Sequence, residues 1–327
     1  MIPTNPRIDW SRPDADVDTL IIPDGNVPHR HEKDWQMAWG DVMHSVVITK
    51  GVPDFSEGQV SFDEDGHLER GKTPTVMNPN DEFAAQAALQ TKVRHGGRVS
   101  AMSMGPPGYQ SVLQQAMEIY ADELYLLSDR EMAAADTWAT AITLATGIKK
   151  LGAEVEAPDL VFAGFKTADG ETGHTGPQTS LCLDWPLLTH VIALDVEEDA
   201  GRVRAKRLVE GDVEEVETVS VPLPAFIVLD PEFAPSYRIA SHRLRLKDLR
   251  EETTARAAEF EDHLTVWDHE DLNLDPDYIG LDGSPTIVES VDPIPKPPAE
   301  RDATMVDPND PDEMAAVLEE CLAFVEG

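Results

Sequence analysis

The sequence predicts an α/β protein with a mainly parallel sheet flanked by helices, a Rossmann-like arrangement. Short apolar runs alternate with amphipathic stretches between residues 45 and 229, the pattern of a parallel sheet with helical crossovers. A glycine-rich loop at 164–176 follows one apolar run and leads into a helix start. After this loop the runs shorten and alternate, which predicts an added antiparallel hairpin region.

The composition excludes some functions. The chain has 327 residues, enough for one large core with appendages or for two domains, and length does not separate these. With 62 acidic and 26 basic side chains its formal charge is −36, so we expect no nucleic-acid binding and no attraction to an anionic membrane. The acidic residues are spread along the chain, as in proteins of salt-loving (halophilic) organisms.

The cysteines and the hydropathy pattern predict a compartment. Cys182 and Cys321 lie far apart in apolar surroundings, which predicts buried free thiols and no disulfide. No run approaches the roughly 18 apolar residues of a membrane span. The first residues lack the apolar core of a signal peptide, so we expect a cytoplasmic protein without membrane insertion.

Residues 1–44 show no sustained hydrophobic period and predict an irregular extension, part of which packs against another surface through its tryptophans.

Residues 46–48 predict a strand that is broken at 50–54. The run Asn78-Pro79 predicts a helix start, with asparagine as cap and proline first, and Phe83, Ala84, Ala87 and Ala88 as the inward face. Further strands are predicted at 98–104, 123–127 and 160–163. Helices are predicted between them, one with Val112, Ala116, Ile119 and Tyr120 inward, the other capped by Asp136 with Ala141, Leu144, Ala145 and Ile148 inward.

The loop at 164–176 is the predicted ligand site. Its glycines let the backbone approach a ligand, and Pro177 suits a first helical position. The N–H groups of Gly173, His174 and Thr175 then face a phosphate. A long turn without a ligand explains the same pattern. In a parallel sheet ligands collect at the carboxyl ends of strands, here after Ile48, Met104 and Ala163.

The remaining chain predicts antiparallel strands at 191–194, 202–209 and 213–221, with a basic strand beside an acidic one, and one more strand at 225–229. Basic residues crowd into 238–250. Little regular structure is predicted from 251 to 311, and a final amphipathic helix is predicted at 312–325.

These pieces resemble a known family, the β subunit of electron transfer flavoprotein. The matching segments are VITKGVPD at 47–54, VMNPNDEFAAQAAL at 76–89, VSAMSMGPP at 99–107, AMEIYADELYLL at 116–127, DLVFAGFKTADGETGHTGPQTSLCLDWP at 159–186, LPAFIVLD at 223–230 and DLNLDPDYIGLDGSPTIVES at 271–290. The resemblance implies a heterodimer with an α subunit, on which FAD mainly rests, while the β subunit holds a second nucleotide: AMP in most members, or a second FAD (flavin adenine dinucleotide, like AMP an adenine nucleotide) in electron-bifurcating members. It implies nucleotide contacts by Ile48, Asn78, Met104, Asp169, Gly173, His174 and Thr175.

Each of these residues has a simpler interpretation. Asn78 can be only a helix cap, and His174 a solvated turn residue. Asp169 can merely pair with Lys166, although an acid can also accept a ribose hydroxyl. Met104 packs in either case. Phe55 matches an aromatic position next to the flavin, where it packs against the ring without a hydroxyl.

The resemblance also implies partners. It gives residues 235–247 the role of gripping flavin dehydrogenases, with Ala240 where relatives have an anchoring leucine; we therefore expect Ile239 as anchor and Arg238, Arg243 and Arg245 as steering charges. The alternative is that this basic cluster docks an acidic α subunit. The expected division is an extension at 1–44, a nucleotide-binding domain at 45–250, and an arm and terminal helix at 251–327 that pack on a partner subunit.

The implied function is electron transfer without catalytic residues or a metal of its own, from acyl-CoA-type dehydrogenases of fatty acid oxidation to a membrane quinone oxidoreductase. An electron-bifurcating subunit with a second FAD is one alternative. A flavin-free sensor of AMP or ATP is another, although it does not need residues 238–250 or the arm. A hydrolase using Cys182 or His174 is a third, but Cys182 has no evident activating neighbour.

Overall fold

The computed structural model describes residues 43–54, 74–209, 215–237 and 240–287, together with six positions between 310 and 318. Nearly all of the predicted N-terminal extension and most of the predicted last helix therefore lie outside the described residues. Among the described residues, none of the helices has both the length and the apolar character needed to cross a membrane.

The fold is organised by a nine-stranded sheet, and a two-stranded sheet accompanies it. The strand order in the large sheet is β11-β5-β4-β1-β6-β10-β7-β8-β9, and the small sheet pairs β2 with β3. The strands are β1 (His44–Ile48), β2 (Gly51–Pro53), β3 (Thr75–Met77), β4 (Arg98–Met104), β5 (Glu123–Leu127), β6 (Leu160–Gly164), β7 (Leu187–Glu197), β8 (Arg202–Val209), β9 (Glu215–Pro222), β10 (Ala225–Leu229) and β11 (Leu264–Trp267).

The central strands are parallel and doubly wound. Strand β1 pairs in parallel with β4 on one side and with β6 on the other. The chain runs from β1 outward through β4 to β5 and then returns to the far side of β1 as β6. The order of strands thus reverses between β1 and β6. In open α/β sheets, ligands bind at such a switch point, outside the carboxyl ends of the strands.

Helices cover both faces of this sheet. They are α1 (Asp81–His95), α2 (Gln110–Ile119), α3 (Thr137–Glu154), α4 (Thr175–Leu183), α5 (Ala240–Arg256) and the single turn α6 (Phe260–His263). Helices α1, α2 and α5 contribute to one apolar core, while α3 and α4 contribute to the other. The fully buried alanines at 84, 87 and 88 let α1 lie close against the sheet.

Most predicted strands are confirmed, while several helix boundaries are wrong. Helix α1 begins at Asp81, so Asn78 is not its cap and Pro79 precedes it. Helix α4 begins at Thr175, which makes Pro177 its third residue. The predicted break at 50–54 contains β2. The Asp136 cap is confirmed, since its carboxylate accepts from the N–H groups of Trp138 and Ala139.

Two further predictions about side chains and boundaries are corrected. Ile119, predicted to face inward, is 42 % exposed, because α2 ends there. Little regular structure was expected beyond residue 250, yet α5 continues to Arg256 and β11 pairs in parallel with β5. The predicted antiparallel region is confirmed as β7-β8-β9, and Arg207 lies 3.6 Å from Glu217 across it.

Candidate functional site

The three strand ends predicted to form a site are neighbours, because β4, β1 and β6 are adjacent in the sheet. Ile48 ends β1 and Met104 ends β4. Both side chains are partly buried and pack on the core that α3 and α4 share. Packing is thus the observed role of Met104 and Ile48. The switch point lies between β1 and β6. We call the region around it the crevice; it comprises Lys50 after β1, Asn78 and Asp81 around the start of α1, and the glycine loop at 164–176 after β6.

The glycine loop after β6 begins where the backbone at Gly164 approaches the start of α1 closely. A Cβ atom on Gly164 would lie 2.5 Å from an Asp81 carboxylate oxygen and 2.6 Å from the backbone carbonyl of Asn80. Only glycine permits this contact between the end of β6 and the start of α1. Further along, Gly173 has φ +64°, a left-handed conformation that also favours glycine.

Helix α4 starts directly behind this turn. His174 precedes the helix and is exposed, whereas Thr175 is its first residue and is partly buried. The first N–H groups of a helix have no partner within it, and they carry the positive end of the helix dipole. The predicted left-handed glycine and helix start are thus observed at Gly173 and Thr175, while phosphate binding by Gly173, His174 and Thr175 stays a prediction.

An ion pair joins the two sides of the crevice. The Lys50 ammonium, on the loop after β1, donates to both carboxylate oxygens of Asp169, at 2.7 and 2.9 Å. Burial alone would raise the pKa of Asp169, but the hydrogen bonds and charge of Lys50 outweigh burial and hold it below its ordinary value. The interpretation of Lys166 as the partner of Asp169 is wrong, because the Lys166 ammonium lies 3.4 Å from Glu171 instead.

Asn78 is fully buried below this pair. Its amide nitrogen donates to a carboxylate oxygen of Asp81 at 2.8 Å and to the carbonyl of Lys166 at 3.0 Å. Its amide oxygen accepts from the N–H of Ala168 at 3.1 Å. Both donor hydrogens are used within the protein, so Asn78 can offer a ligand only the second lone pair of its oxygen.

Sequence reasoning missed Lys50 and Asp81. Lys50 lies two residues after the end of the first strand, which was the available signal, but it was assigned to a break. Asp81 was assigned only to the acidic first turn of α1. In the structure it is 5 % exposed, and burial raises its pKa to about 7, while hydrogen bonds from Asn78 and the Lys50 N–H oppose this only in part.

The neighbouring strand ends carry another polar pair. Asp230 follows β10 and is 8 % exposed, and its carboxylate lies 3.1 Å from Nδ1 of His190. The His190 ring packs on Phe165, with ring centroids 4.8 Å apart. His190 has φ +55°, an unusual conformation for a residue with a side chain. This pair flanks the loop that begins after Gly164.

The predicted partner-contacting residues are only partly described. Phe55, Arg238 and Ile239 lie outside the described residues. Ala240 and Arg243 are exposed in the first turn of α5, so this part of the expected loop is helical. A guanidinium nitrogen of Arg245 donates to the carbonyl of Val93 at 3.3 Å. Leu244, which sequence reasoning passed over, is 65 % exposed.

The thiol considered for hydrolysis is not activated. Cys182 lies in α4, and burial raises the pKa of its thiol, with Lys149 opposing only in part. A nucleophilic cysteine needs the opposite shift.

Two surface depressions of about 400 and 170 Å³ lie away from the crevice, one between His95 and residues 196–200, the other between residues 130–133 and 276–282.

A doubly wound parallel sheet with an added antiparallel edge places the chain among the open-sheet α/β proteins. The family described as electron transfer flavoprotein domain matches residues 65–263, more than half of the chain. The chain belongs to the electron transfer flavoprotein family and is of its β-subunit type.

Three relatives are similar to the chain over most of its length. The chain is 37 % identical over 267 residues to Protein FixA of Azorhizobium caulinodans, covering 81 % of this chain and 89 % of the relative. It is 36 % identical over 248 residues to the caffeyl-CoA reductase-Etf complex subunit CarD of Acetobacterium woodii, covering 75 % and 86 %. It is 34 % identical over 248 residues to the electron transfer flavoprotein subunit beta of Clostridium acetobutylicum, covering 76 % and 86 %. The chain is therefore an electron transfer subunit.

Proposed function

We propose that this chain pairs with an α subunit and carries electrons from acyl-CoA-type flavin dehydrogenases to a membrane quinone oxidoreductase. The observation that carries the proposal is the similarity, over most of both chains, to a relative named as the β subunit of electron transfer flavoprotein. A flavin-free sensor fits less well, because the family match at residues 65–263 includes α5, which a lone nucleotide-binding sheet does not need.

In this proposal the crevice holds AMP. The fit rests on three features of the described residues: the left-handed turn at Gly173, the start of α4 at Thr175, and the two lysines at 50 and 166. The lysines offset the acids at 169 and 171, so a phosphate does not meet an unbalanced negative charge. Asp169 is placed to accept a ribose hydroxyl, and Ile48 and Met104 give an apolar floor. FAD, held mainly by the α subunit, supplies the electron-carrying chemistry.

A second candidate is an electron-bifurcating subunit with FAD in place of AMP. Two relatives favour a reductase partner, since they are named as subunits of CoA-ester reductase systems: the caffeyl-CoA reductase-Etf complex subunit and, at 32 % identity over 248 residues, the acryloyl-CoA reductase electron transfer subunit gamma of Anaerotignum propionicum. Both candidates use the same crevice and differ in the nucleotide.

Co-expression separates these proposals. The chain expressed alone in high salt is expected to be colourless, and the complex with its α subunit yellow. Acid extraction of the complex gives one FAD and one AMP for a simple carrier, or two FAD for a bifurcating one. A complex without flavin contradicts the electron-transfer proposal and favours the sensor.

The segment 235–247 is proposed to bind the dehydrogenase, with Ile239 as anchor beside Ala240, and Arg238, Arg243 and Arg245 as steering charges. Large apolar side chains that fill a pocket dominate such interfaces. Ile239→Ala is expected to slow electron transfer from a cognate dehydrogenase while the yield of heterodimer stays normal. Leu244→Ala is the matched comparison on the exposed start of α5. If Ile239→Ala lowers the heterodimer yield instead, the segment docks the α subunit.

A further inference from the structure

We infer that Asp81 is a positioning residue for the crevice: it holds the start of α1, the loop after β1 and the loop after β6 in the one arrangement that binds a nucleotide. The inference rests on the proposed nucleotide site but assigns to it a residue that does not touch the ligand.

The contacts of Asp81 reach all three segments. One carboxylate oxygen accepts from the Asn78 amide at 2.8 Å, and the other accepts from the backbone N–H of Lys50 at 2.8 Å. Through Asn78 the network continues to the Lys166 carbonyl and the Ala168 N–H, at 3.0 and 3.1 Å. A second amide, that of Asn80, also donates to the Lys166 carbonyl, at 2.9 Å.

These bonds fix the segments that carry the proposed ligand contacts. Lys50 brings its ammonium to Asp169, and the backbone of 166–168 leads into Asp169 and the turn at Gly173. The backbone of the loop at 166–168 is thus hydrogen-bonded to Asn78 and Asn80, just before α1, while the Asp169 carboxylate is hydrogen-bonded to Lys50 in the loop after β1. A loop that is already ordered loses less entropy when a ligand binds, so binding is tighter.

The position requires a carboxylate. Both bonds at Asp81 are accepted bonds, and a carboxylate offers two accepting oxygens, whereas an asparagine amide offers one acceptor and one donor. Asp81 is also the first residue of α1, where the helix dipole favours negative charge and offsets part of the cost of burying the carboxylate. Gly164 leaves the space that the carboxylate occupies.

Asp159 provides a matched control. Asp159 lies just before β6, at the amino-terminal end of β1 and β6, opposite to the end where Asp81 lies. Its carboxylate accepts a hydrogen bond from the backbone N–H of His44, the first residue of β1, at 2.9 Å. Burial raises the pKa of Asp159 as it does that of Asp81. Asp159→Asn and Asp81→Asn therefore make the same chemical change at the two opposite ends of β1 and β6.

The test compares these variants in the complete complex with its α subunit, freed of bound nucleotide and titrated with AMP, and separately with FAD. Asp81→Asn is expected to weaken AMP binding about tenfold, because the loops that carry the proposed ligand contacts must then be ordered when AMP binds. It should also reduce the rise in melting temperature that saturating AMP produces, because that rise depends on affinity. Asp159→Asn should lower the melting temperature without AMP and leave the AMP-induced rise unchanged.

Equal loss of AMP affinity in both variants overturns the inference, as does an Asp81→Asn complex with parental affinity. Should Asp81→Asn not fold, Asn80→Ala removes one bond of the same network, and AMP affinity equal to that of the parent then overturns the inference. A parent complex that binds neither AMP nor FAD contradicts the proposed nucleotide site itself, so the two failures are distinct.

Discussion

The two ends of strand β1 bury polar groups for different purposes. At the amino end, His44 is fully buried, and its ring nitrogens lie 2.9 Å from the Ser100 hydroxyl and 3.0 Å from the Glu156 carbonyl. At the carboxyl end, Asp81 is buried beneath a glycine turn and an ion pair whose lysine side chain is 37 % exposed.

The difference teaches how to recognise the site. Buried, hydrogen-bonded polar groups occur at both ends, so they do not by themselves mark a function. The amino end also has partly exposed ion pairs, between Arg98 and both Glu123 and Glu156, and a positive-φ glycine, Gly97. Among the described residues, what distinguishes the carboxyl end is a glycine turn that leads into a helix start at Thr175. The strand order reverses between β1 and β6, and in such sheets ligands bind outside the carboxyl ends of the strands.

Gly164→Ala is the largest expected disruption of the carboxyl end. The new methyl group would lie 2.5 Å from Asp81 and 2.6 Å from the backbone of Asn80, so the start of α1 must move. We expect a loss of about 3 kcal/mol in the free energy of unfolding, from overpacking and broken hydrogen bonds. Chemical denaturation in high salt measures it.

Gly170→Ala is the control in the same loop, because its methyl group would meet only Thr167 Oγ1, at an ordinary 3.5 Å. Equal stability of Gly164→Ala and Gly170→Ala would contradict the close packing between β6 and α1.

His44 makes the amino end sensitive to acid. Burial, together with the charge of Arg98, lowers its pKa from the ordinary 6.5 to about 4. Between these values the unfolded chain binds more protons than the folded chain, so this contribution is complete above pH 6.5 and is lost as pH falls towards 4. The shift corresponds to about 3 kcal/mol.

The expected measurement is the difference in unfolding free energy between the parent and His44→Gln, followed from pH 7.5 to 4; it should shrink by about 3 kcal/mol. A difference is needed because Asp81, with its pKa raised from 3.8 to about 7, acts in the opposite direction: its contribution is largest below pH 3.8 and is lost as pH rises through 7. A difference that does not depend on pH would show that His44 is not buried as a neutral ring.

The Lys50–Asp169 ion pair should have the smallest effect on stability. Its lysine is 37 % exposed, so solvent screens the pair, and a double-mutant cycle with Lys50→Met and Asp169→Asn should give a coupling of about 0.5–1 kcal/mol. The coupling should weaken as salt rises. A coupling above about 3 kcal/mol would place this pair among buried ion pairs and weaken its assignment to an accessible crevice.

The sequence predicts the sheet better than the site. Apolar runs identify β4, β5 and β10 to the residue, because local hydrophobicity decides a buried strand. Helix starts are less certain: Asn78 has the composition of a cap, yet its side chain bonds to Asp81 and to the loop after β6.

The missed site residues depend on contacts between distant parts of the chain. Lys50 and Asp169 are 119 residues apart, and the significance of Asp81 follows from its contact with Gly164. No local period reports such contacts. Strand ends were sufficient to predict that Ile48, Met104 and Ala163 lie close together, whereas the hydrogen bonds between the loops there become visible only after folding.

Hydrogen exchange of the complete complex with and without AMP tests the central claim, that the carboxyl ends of β1 and β6 form the nucleotide site. With AMP, the amides of 166–176 and of Lys50 should exchange more slowly, because binding stabilises the closed form of these segments. The amides around His44 and Asp159, at the other end of the same strands, should be unchanged. Protection at the amino end, or none in 166–176, would contradict the account.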